Sequence, residues 1–361
     1  MSEIRLNTGL ELQLDECVDL IAEVGHKLTV MLEGDMGNGK TTTLDMLAKR
    51  FPDHTPILFD MTTKDIGDML IPKVTMINDS NVVQFAVNEE LGIHLNKPVI
   101  VCLDEYGKGN QGVVRACTRF TLERKIGMYE LHPDSIVYAT TNKGSEGVGD
   151  LLLPHQLDRV IKVKVRKHKA VEWIDWGIAN DINPAILGFV KEFPQVLQSF
   201  EDVPNPEDNP YIFHPQAQRE AFVTPRSLSM ASFILNHRDG LTKTTLRAGL
   251  TGAIGENAAR DLVAFIDLAD QLPTIDSIKE SPETALVPTS NSAVCMVVYR
   301  ALAVMERDWV NSWVTYMNRL NKEAQGLFAN GVRAKNYHKK ELLTTNKKFT
   351  DWCRENHYLY S

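Results

Sequence analysis

Residues 34–41 decide the fold of this chain, and they read Gly34-Asp35-Met36-Gly37-Asn38-Gly39-Lys40-Thr41. The stretch follows a short aliphatic run, Leu28–Leu32, and fits the pattern G-x-x-x-x-G-K-[ST]. In such a loop the glycines turn backbone N–H groups toward phosphate oxygens, the helix N-terminus adds partial positive charge, and the lysine reaches the β and γ oxygens. The sequence therefore predicts a strand, a phosphate-binding loop and a helix that begins at Lys40.

A second apolar run, Val99–Leu103, ends in the two carboxylates Asp104 and Glu105. Two acids after a strand are weak evidence alone, but downstream of a phosphate loop they resemble a Walker B element. Together with the hydroxyl of Thr41, Asp104 would ligate Mg²⁺, and Glu105 would polarise the attacking water. The predicted ATP-binding residues are Gly34, Asp35, Met36, Gly37, Asn38, Gly39, Lys40, Thr41 and Thr42.

A third apolar run, Ile136–Thr140, leads to the amide of Asn142. At the tip of a strand beside the acidic one, this amide can hydrogen-bond both the γ-phosphate and the attacking water. Asn142 could instead cap a turn before Lys143. Taken alone, the sequence favours the turn.

The alternation of β-branched runs and amphipathic stretches in the first third predicts an α/β fold with a parallel sheet. A further strand is predicted at Ile57–Asp60. Ligands of such sheets bind outside the carboxyl ends of the strands. From about Lys167 the periodicity is helical, interrupted by a Pro-rich segment, 193–225, that we interpret as a loop or insertion. The predicted later helices are Ser227–Asn236, Asn257–Gln271 and one long helix or helix pair over Ser292–Leu327.

Composition excludes several classes of protein. The 361 residues are 43% hydrophobic and 24% charged, which is typical of a globular chain. The longest apolar stretches, such as Val294–Val298, are far shorter than the ~20 residues of a membrane span. The five cysteines are scattered without a CxxC pair, and the first residues lack a basic region followed by an apolar one, so we expect reduced thiols and a cytoplasmic location.

These elements in this order, followed by Leu153-Pro154-His155-Gln156-Leu157-Asp158-Arg159 and Thr224-Pro225-Arg226-Ser227-Leu228, resemble the AAA+ ATPases. More narrowly, the chain is similar to the MoxR-type branch, kin to the NorQ, CbbQ and cobaltochelatase small-subunit ATPases. The resemblance covers roughly residues 10 to 275 and implies an AAA+ P-loop core with a central parallel sheet over 1–166 and an all-α lid with the Pro-rich insertion over 167–275. Beyond it we predict a C-terminal helical extension over 276–361.

Carried over by position, the resemblance implies Walker A at Lys40 and Thr41, Walker B at Asp104 and Glu105, and sensor 1 at Asn142. Arg159 would be an arginine finger that completes the ATP site of a neighbouring subunit, and Arg226 would be sensor 2 in the lid. Where the family usually has Phe after the finger, this chain has Val160. Each arginine could instead be a surface residue with no catalytic role.

The family also carries an insert whose hairpin faces the pore of a ring, and residues 65–90 resemble it. Here the stretch Asp68-Met69-Leu70-Ile71-Pro72 lacks the family's glycine, and the alternating runs 73–77 and 81–85 around Asn78-Asp79 predict the hairpin. Met76 and Ile77 would then contact substrate. A hairpin that only packs on its own subunit is the alternative.

The resemblance implies a homo-oligomer, a hexamer, that hydrolyses ATP with Mg²⁺ and remodels a protein partner, in some relatives one with a von Willebrand A domain. The runner-up is a nucleic-acid motor, favoured by a basic strip and a basic, aromatic C-terminal stretch over 333–354 but opposed by the net charge of −8. The basic strip comprises Lys162, Lys164, Arg166, Lys167 and Lys169. A third reading is a nucleotide-gated binding module that hardly hydrolyses ATP.

Overall fold

A computed structural model of the chain describes residues 10–143, 152–269, 272–335 and 337–360. The chain divides into two units, Met1–Lys167 and His168–Ser361. Every described strand lies in the first unit, and the second unit is helical. The structure confirms the predicted class, an α/β core with a central parallel sheet followed by helices. The further division at residues 275 and 276 stays a prediction.

The first unit alternates strands and helices. Its strands are β1 Glu11–Leu12, β2 Val30–Gly34, β3 Thr55–Asp60, β4 Leu70–Ile77, β5 Ser80–Val87, β6 Val99–Asp104, β7 Lys125–Ile126, β8 Tyr129–Glu130, β9 Ile136–Asn142 and β10 Ile161–Val165. Its helices are α1 Leu14–Val24, α2 Thr42–Arg50, α3 Ile66–Met69, α4 Gln111–Glu123 and α5 Pro154–Leu157. The four predicted strands are confirmed, with ends that differ by at most two residues.

Six of these strands form one parallel sheet in the order β1-β10-β2-β9-β6-β3. The strand of the phosphate loop, β2, is therefore separated from the acidic strand, β6, by β9 alone. Because the strands are parallel, their carboxyl ends share one edge of the sheet. That edge collects Gly34, Asp104 and Asn142.

Helices cover both faces of the sheet. Along β6, Val101 and Leu103 join an apolar cluster with Phe120 of α4, whereas Cys102 joins a second cluster with Leu47 of α2. Successive side chains of a strand point to opposite faces, so a strand buried on both faces is a continuous apolar run. Polar groups are therefore concentrated where the strands end.

The hairpin predicted in the insert is confirmed as an antiparallel pair, β4–β5. Its loop is Asn78-Asp79, and both residues have left-handed backbone, with φ of 49° and 57°. Two consecutive residues with positive φ fit the tight turn that matches the twist of a hairpin, and Asn and Asp tolerate that conformation best after Gly.

The second unit packs its helices around one apolar cluster that runs from Trp173 to Trp352. The helices are α6 Ala170–Ala179, α7 Pro184–Glu192, α8 Pro225–Asn236, α9 Lys243–Ile254, α10 Glu256–Ala269, α11 Ile275–Glu280, α12 Asn291–Val304, α13 Val310–Met317, α14 Lys322–Arg333, α15 Lys340–Thr344, α16 Lys347–Glu355 and α17 His357–Tyr360. In the described ranges, none of the helices has the length and apolar content to cross a bilayer.

The single long helix or helix pair predicted over Ser292–Leu327 is wrong. Three helices, α12, α13 and α14, occupy and extend this region. The breaks contain neither Pro nor Gly. Met305 and Trp309 flank the first break and are both buried in the core, so packing ends α12 where local propensity would continue it.

The Pro-rich segment between α7 and α8 is a long loop with short 3₁₀ turns, as predicted. Two side chains organise it from within. The buried Asn209 donates its amide to Gln195 O at 2.8 Å, and Arg219 donates to Pro206 O at 2.6 Å and Asn209 O at 3.0 Å. These hydrogen bonds connect separate turns of the loop through their backbone carbonyls.

Candidate active site

The phosphate loop joins β2 to α2. Gly37 and Gly39 have φ of 66° and 79°, a conformation that other residues adopt only with strain. Helix α2 begins at Thr42, not at the predicted Lys40, because the Thr42 N–H still closes a turn on Gly39 O at 2.9 Å. Thr41 precedes the first helical residue, so its hydroxyl lies at the helix N-terminus, where an anion is stabilised.

Lys40 is almost fully buried and lies across the strand ends. Its Nζ donates to the carbonyl oxygens of Gly34 at 2.7 Å and Asp35 at 2.9 Å, and to Oδ1 of Asn142 at 2.7 Å. These three acceptors match the three N–H donors of an ammonium group. Gly34 and Asn142 are also direct register partners in β2 and β9, which explains how the amide comes within reach.

The two carboxylates after β6 are held by a threonine of β9. The Thr140 hydroxyl donates to Oδ1 of Asp104 and accepts the Glu105 N–H at 3.3 Å. This contact follows from the parallel register, in which Leu103 pairs with Ala139 one residue earlier. Thr140 therefore fixes the turn at which the chain leaves the acidic strand.

Glu105 has left-handed backbone, with φ of 54° and ψ of 40°. Such a conformation costs a non-glycine residue about 1–2 kcal/mol and occurs frequently at functional sites. The Asn142 amide nitrogen donates to its carboxylate, at 3.0 Å to Oε1 and 3.2 Å to Oε2. Lys108 Nζ lies 2.9 Å from Oε2. Asn142 thus connects Lys40 to Glu105 through one amide.

The loop also carries a buried carboxylate, Asp35. Lys143 Nζ lies 3.0 Å from its Oδ1 and Lys167 Nζ lies 3.7 Å from its Oδ2. In the same loop the buried Asn38 donates its amide to Arg166 O at 3.2 Å. Met36 is half-buried and Thr42 is exposed. These contacts tie the loop to the ends of β9 and β10.

Beneath the loop the interior is neutral. Tyr138 of β9 accepts a hydrogen bond from Thr43 of α2 at 3.0 Å. Burial raises the pKa of the Tyr138 hydroxyl and of the neighbouring Cys102 thiol well above their ordinary values. Burial likewise raises the pKa of Tyr106 to about 12. These groups stay protonated at neutral pH, so the charges of the site are those of its lysines and carboxylates.

The donor set fits Mg²⁺. Thr41 supplies a hydroxyl and Asp104 a carboxylate at the same edge of the sheet, and Mg²⁺ commonly takes one or two such oxygens together with phosphate and water. Among the described residues, no group of three or more His, Cys, Asp or Glu side chains could hold a metal ion.

Within the first unit, the predicted Arg159 is not part of this cluster. Arg159 lies just before β10 begins at Ile161, which places it at the amino edge of the sheet, opposite the loop. Its Nη1 is 3.4 Å from Thr118 O in α4. Arg226 belongs to the other unit and is exposed in the first turn of α8.

Among the side chains that contact the predicted residues but were not assigned to the site from the sequence are Lys108, Thr140, Lys143 and Lys167. Thr140 and Lys143 flank the predicted Asn142, and their position in the run offered a signal. Lys108 lies three residues after Glu105, beyond the end of the strand, and no sequence motif marks a lysine at this position as part of the site. Its contact with Glu105 is known only from the structure.

Some of the features that favoured a nucleic-acid motor make contacts within the chain, although Lys162 and Lys169 of the basic strip are exposed. Lys162 of the basic strip lies 2.6 Å from Glu33, and Lys167 pairs with Asp35. In the C-terminal stretch, the aromatic residues Phe349 and Trp352 are buried in the core, where they cannot stack on bases.

No family model matches the chain, and no curated protein sequence matches it. Among solved structures, the chain is similar to a RuvB mutant of Thermotoga maritima at 12% identity, over 72% of this chain and 70% of that one, with a TM-score of 0.37. A presumed ATPase of Cytophaga hutchinsonii is similar at 14% identity, over 87% and 79%, with a TM-score of 0.31. The T. maritima RuvB Holliday junction branch migration motor is similar at 13% identity, over 72% and 70%, with a TM-score of 0.32. Likenesses this weak assign no function, which must rest on the residues of the chain itself.

Proposed function

We propose that this protein is a ring-forming AAA+ ATPase of the MoxR type that binds ATP with Mg²⁺ between subunits, hydrolyses it and remodels a protein partner. The observation that carries the proposal is the hydrogen-bonded connection from Lys40 through Asn142 to Glu105. Phosphoryl transfer to water uses a lysine of a glycine-rich loop, a polar side chain and a carboxylate. Here hydrogen bonds connect these three groups.

Each residue of the cluster has a role in this reaction. The inward-turned N–H groups of residues 34–42 and Lys40 hold the phosphates. Thr41 and Asp104 would hold Mg²⁺, which neutralises charge on the phosphate oxygens. Glu105 polarises the attacking water, and Asn142 hydrogen-bonds the water or the γ-phosphate. Little covalent chemistry is required, since such catalysis is mostly positioning and charge stabilisation.

The position of Arg159 supports a shared site. Strand β10 separates it from the loop edge, and a five-residue strand spans roughly 15 Å. The guanidinium of one chain therefore lies far from the phosphates bound by the same chain, whereas the edge of a neighbouring chain can present it. The proposal includes assembly as a hexamer and the sensor 2 role of Arg226 in the lid, 167–275. The extension, 276–361, would be available to a partner.

The hairpin supports a protein partner. Its register places Val74, Met76, Val83 and Phe85 on one face, and they are 66%, 71%, 55% and 42% exposed. Exposed apolar surface of this kind commonly marks contact with another protein. The exposure favours the predicted contact with substrate through Met76 and Ile77 over packing on the same subunit. A partner with a von Willebrand A domain stays a prediction.

The proposal is tested by phosphate release and light scattering on the purified chain. We expect Mg²⁺-dependent ATP hydrolysis, assembly to a multimer with ATP, and loss of turnover with retained ATP binding in Glu105→Gln. A monomer that ignores nucleotide and Mg²⁺ would contradict it. Equal slow hydrolysis by wild type and Glu105→Gln would favour a nucleotide-gated module, and strong, salt-sensitive stimulation by DNA would favour a motor.

A further inference from the structure

The carboxylate of Glu105 is held at both oxygens. Asn142 Nδ2 approaches Oε1 at 3.0 Å, and Lys108 Nζ approaches Oε2 at 2.9 Å. Asn142 belongs to the predicted motif set, but Lys108 does not. Lys108 follows Glu105 by three residues, whereas Asn142 is 37 residues away along the chain. Together the two side chains contact both oxygens of the carboxylate.

The segment that carries Lys108 is itself fixed. Residues 106–108 form a 3₁₀ turn in which the Lys108 N–H donates to Glu105 O at 2.9 Å. Tyr106 is fully buried in the apolar cluster under the sheet. At Gly109 a Cβ would come within 3.1 Å of Met61 Cβ, so the chain passes close to its neighbour there. The backbone that carries the Lys108 ammonium is therefore fixed by its neighbours.

An ordinary surface pair would not have these properties. Arg354 and Asp351 have the same spacing of three residues, but their side chains are 81% and 45% exposed. For Lys108 and Glu105 the corresponding values are 23% and 28%. Exposed ion pairs contribute little, because solvent screens them and both side chains keep their freedom. A partly buried pair between fixed backbones restricts the carboxylate instead.

We propose that Lys108 is a positioning residue for ATP hydrolysis, which, together with Asn142, holds the Glu105 carboxylate in the orientation from which it polarises the attacking water. The inference rests on the proposed function. A glutamate side chain has three torsions, and fixing them before the reaction removes an entropic cost that the transition state would otherwise carry. Lys108 contacts neither phosphate nor Mg²⁺ in this role, so it acts on turnover and not on binding.

The test compares Lys108→Met with Lys108→Arg, which keeps the charge. We expect Lys108→Met to lower kcat about tenfold with the Kd for ATP unchanged, and Lys108→Arg to restore most of the rate. The matched control is Lys125→Met, which breaks the 3.1 Å pair of Lys125 with Glu130 on the β7–β8 hairpin and should hydrolyse ATP like wild type. If Lys108→Met does not fold, as shown by its thermal midpoint, Lys108→Gln carries the same expectation.

The outcomes separate the two proposals. An unchanged or raised kcat in Lys108→Met, with Glu105→Gln inactive, overturns the positioning role and leaves the ATPase proposal standing. A parallel loss of ATP affinity, or no rescue by Lys108→Arg, overturns it as well. Wild-type hydrolysis by Glu105→Gln would instead remove the proposed function on which the inference rests.

Discussion

Lys40 and Asn142 meet through a 2.7 Å hydrogen bond between Nζ and Oδ1, which joins the phosphate loop to the end of the neighbouring strand. The same amide donates to Glu105 at 3.0 Å. A triphosphate that takes the lysine must replace at least one of its acceptors, and Asn142 is the acceptor outside the loop. If the loop holds a triphosphate as proposed, its binding would change the contacts of the Glu105 carboxylate through the Asn142 side chain.

This relationship predicts separate effects on binding and turnover in Asn142→Ala. We expect kcat to fall about 100-fold, because one preorganised hydrogen-bond donor is lost at the reacting centre. The Kd for ATP should stay the same or decrease, since Lys40 loses a competing acceptor. Single-turnover rates and nucleotide titration check both values.

Thr141→Val is the control, because the buried Thr141 hydroxyl has no hydrogen-bond partner in the described part of the chain. An Asn142→Ala variant that binds ATP poorly but hydrolyses it normally would contradict the connection through Asn142.

Lys40→Ala tests the assignment of the loop. The variant removes the ammonium that contacts the carbonyls of Gly34 and Asp35 and the amide of Asn142. A charge-assisted contact to phosphate contributes about 1.5–3 kcal/mol or more. We expect no ATP binding at micromolar concentrations by calorimetry. Lys49→Ala, an exposed lysine near the end of α2, should bind like wild type. Retained micromolar affinity in Lys40→Ala would remove the loop from the site.

Much of this fold is visible in the sequence because its signals are local. The glycine spacing of residues 34–41 and the apolar runs that end at Asp104 and Asn142 each predict a strand and the chemistry at its tip. Strand β2 nevertheless extends to Gly34, two residues beyond the predicted Leu32, because pairing with β9 continues past the apolar run. Backbone pairing of this kind depends on the partner strand, which the local pattern does not identify.

The contacts inside the site depend on strand order, and the sequence does not reveal it. Only the position of β9 between β2 and β6 brings Thr140 to Asp104 and Asn142 to both Lys40 and Glu105. Lys143 likewise pairs with Asp35, which is distant along the chain, and Lys108 pairs with Glu105 across a short turn. The helical half shows the same limit, since the buried Met305 and Trp309 flank a break between α12 and α13 that contains neither Pro nor Gly.

Stability of the chain should fall at alkaline pH. Burial raises the pKa of the Cys117 thiol from the ordinary 9.0 to about 12. A raised pKa in the folded state means that the folded chain holds the proton more tightly, so the contribution is complete below pH 9 and is lost as pH rises toward 12. The slope reaches about 1.4 kcal/mol per pH unit for one group. Urea unfolding at pH 8, 9, 10 and 11 measures it.

Cys117→Ala is the comparison for this slope. The variant should be less stable at pH 8, because it leaves a small cavity in the cluster around Phe120, but it should lose less stability between pH 9 and pH 11. Cys17→Ala serves as a second case, since burial also raises the pKa of that thiol to about 11. Parallel losses in wild type and both variants would exclude the thiols as the cause.

Arg159, at the far edge of the sheet, tests whether the site is shared between chains. If Arg159 acts on the nucleotide of a neighbour, Arg159→Ala should assemble and bind ATP but hydrolyse it at least 1000-fold more slowly, the loss expected for an arginine supplied in trans. Lys40→Ala should also be inactive. When the two variants are mixed in equal amounts, roughly one quarter of the interfaces of a cyclic assembly combine an intact Lys40 with an intact Arg159. Activity should return to about that fraction, as measured by phosphate release after subunit exchange.

Two controls decide how such a recovery is interpreted. Mixing either single variant with the double variant Lys40→Ala/Arg159→Ala should restore no activity. In the mixture with Arg159→Ala every interface lacks the arginine, and in the mixture with Lys40→Ala every interface lacks the lysine. Arg119→Ala, on α4 and already paired with Glu123 at 2.6 Å, should hydrolyse ATP near the wild-type rate without mixing. Because strand β10 separates Arg159 from the loop of its own chain, a cis role would require a rearrangement of the sheet. Absence of rescue at every mixing ratio would contradict action in trans, and a wild-type rate in Arg159→Ala alone would show that Arg159 has no part in hydrolysis.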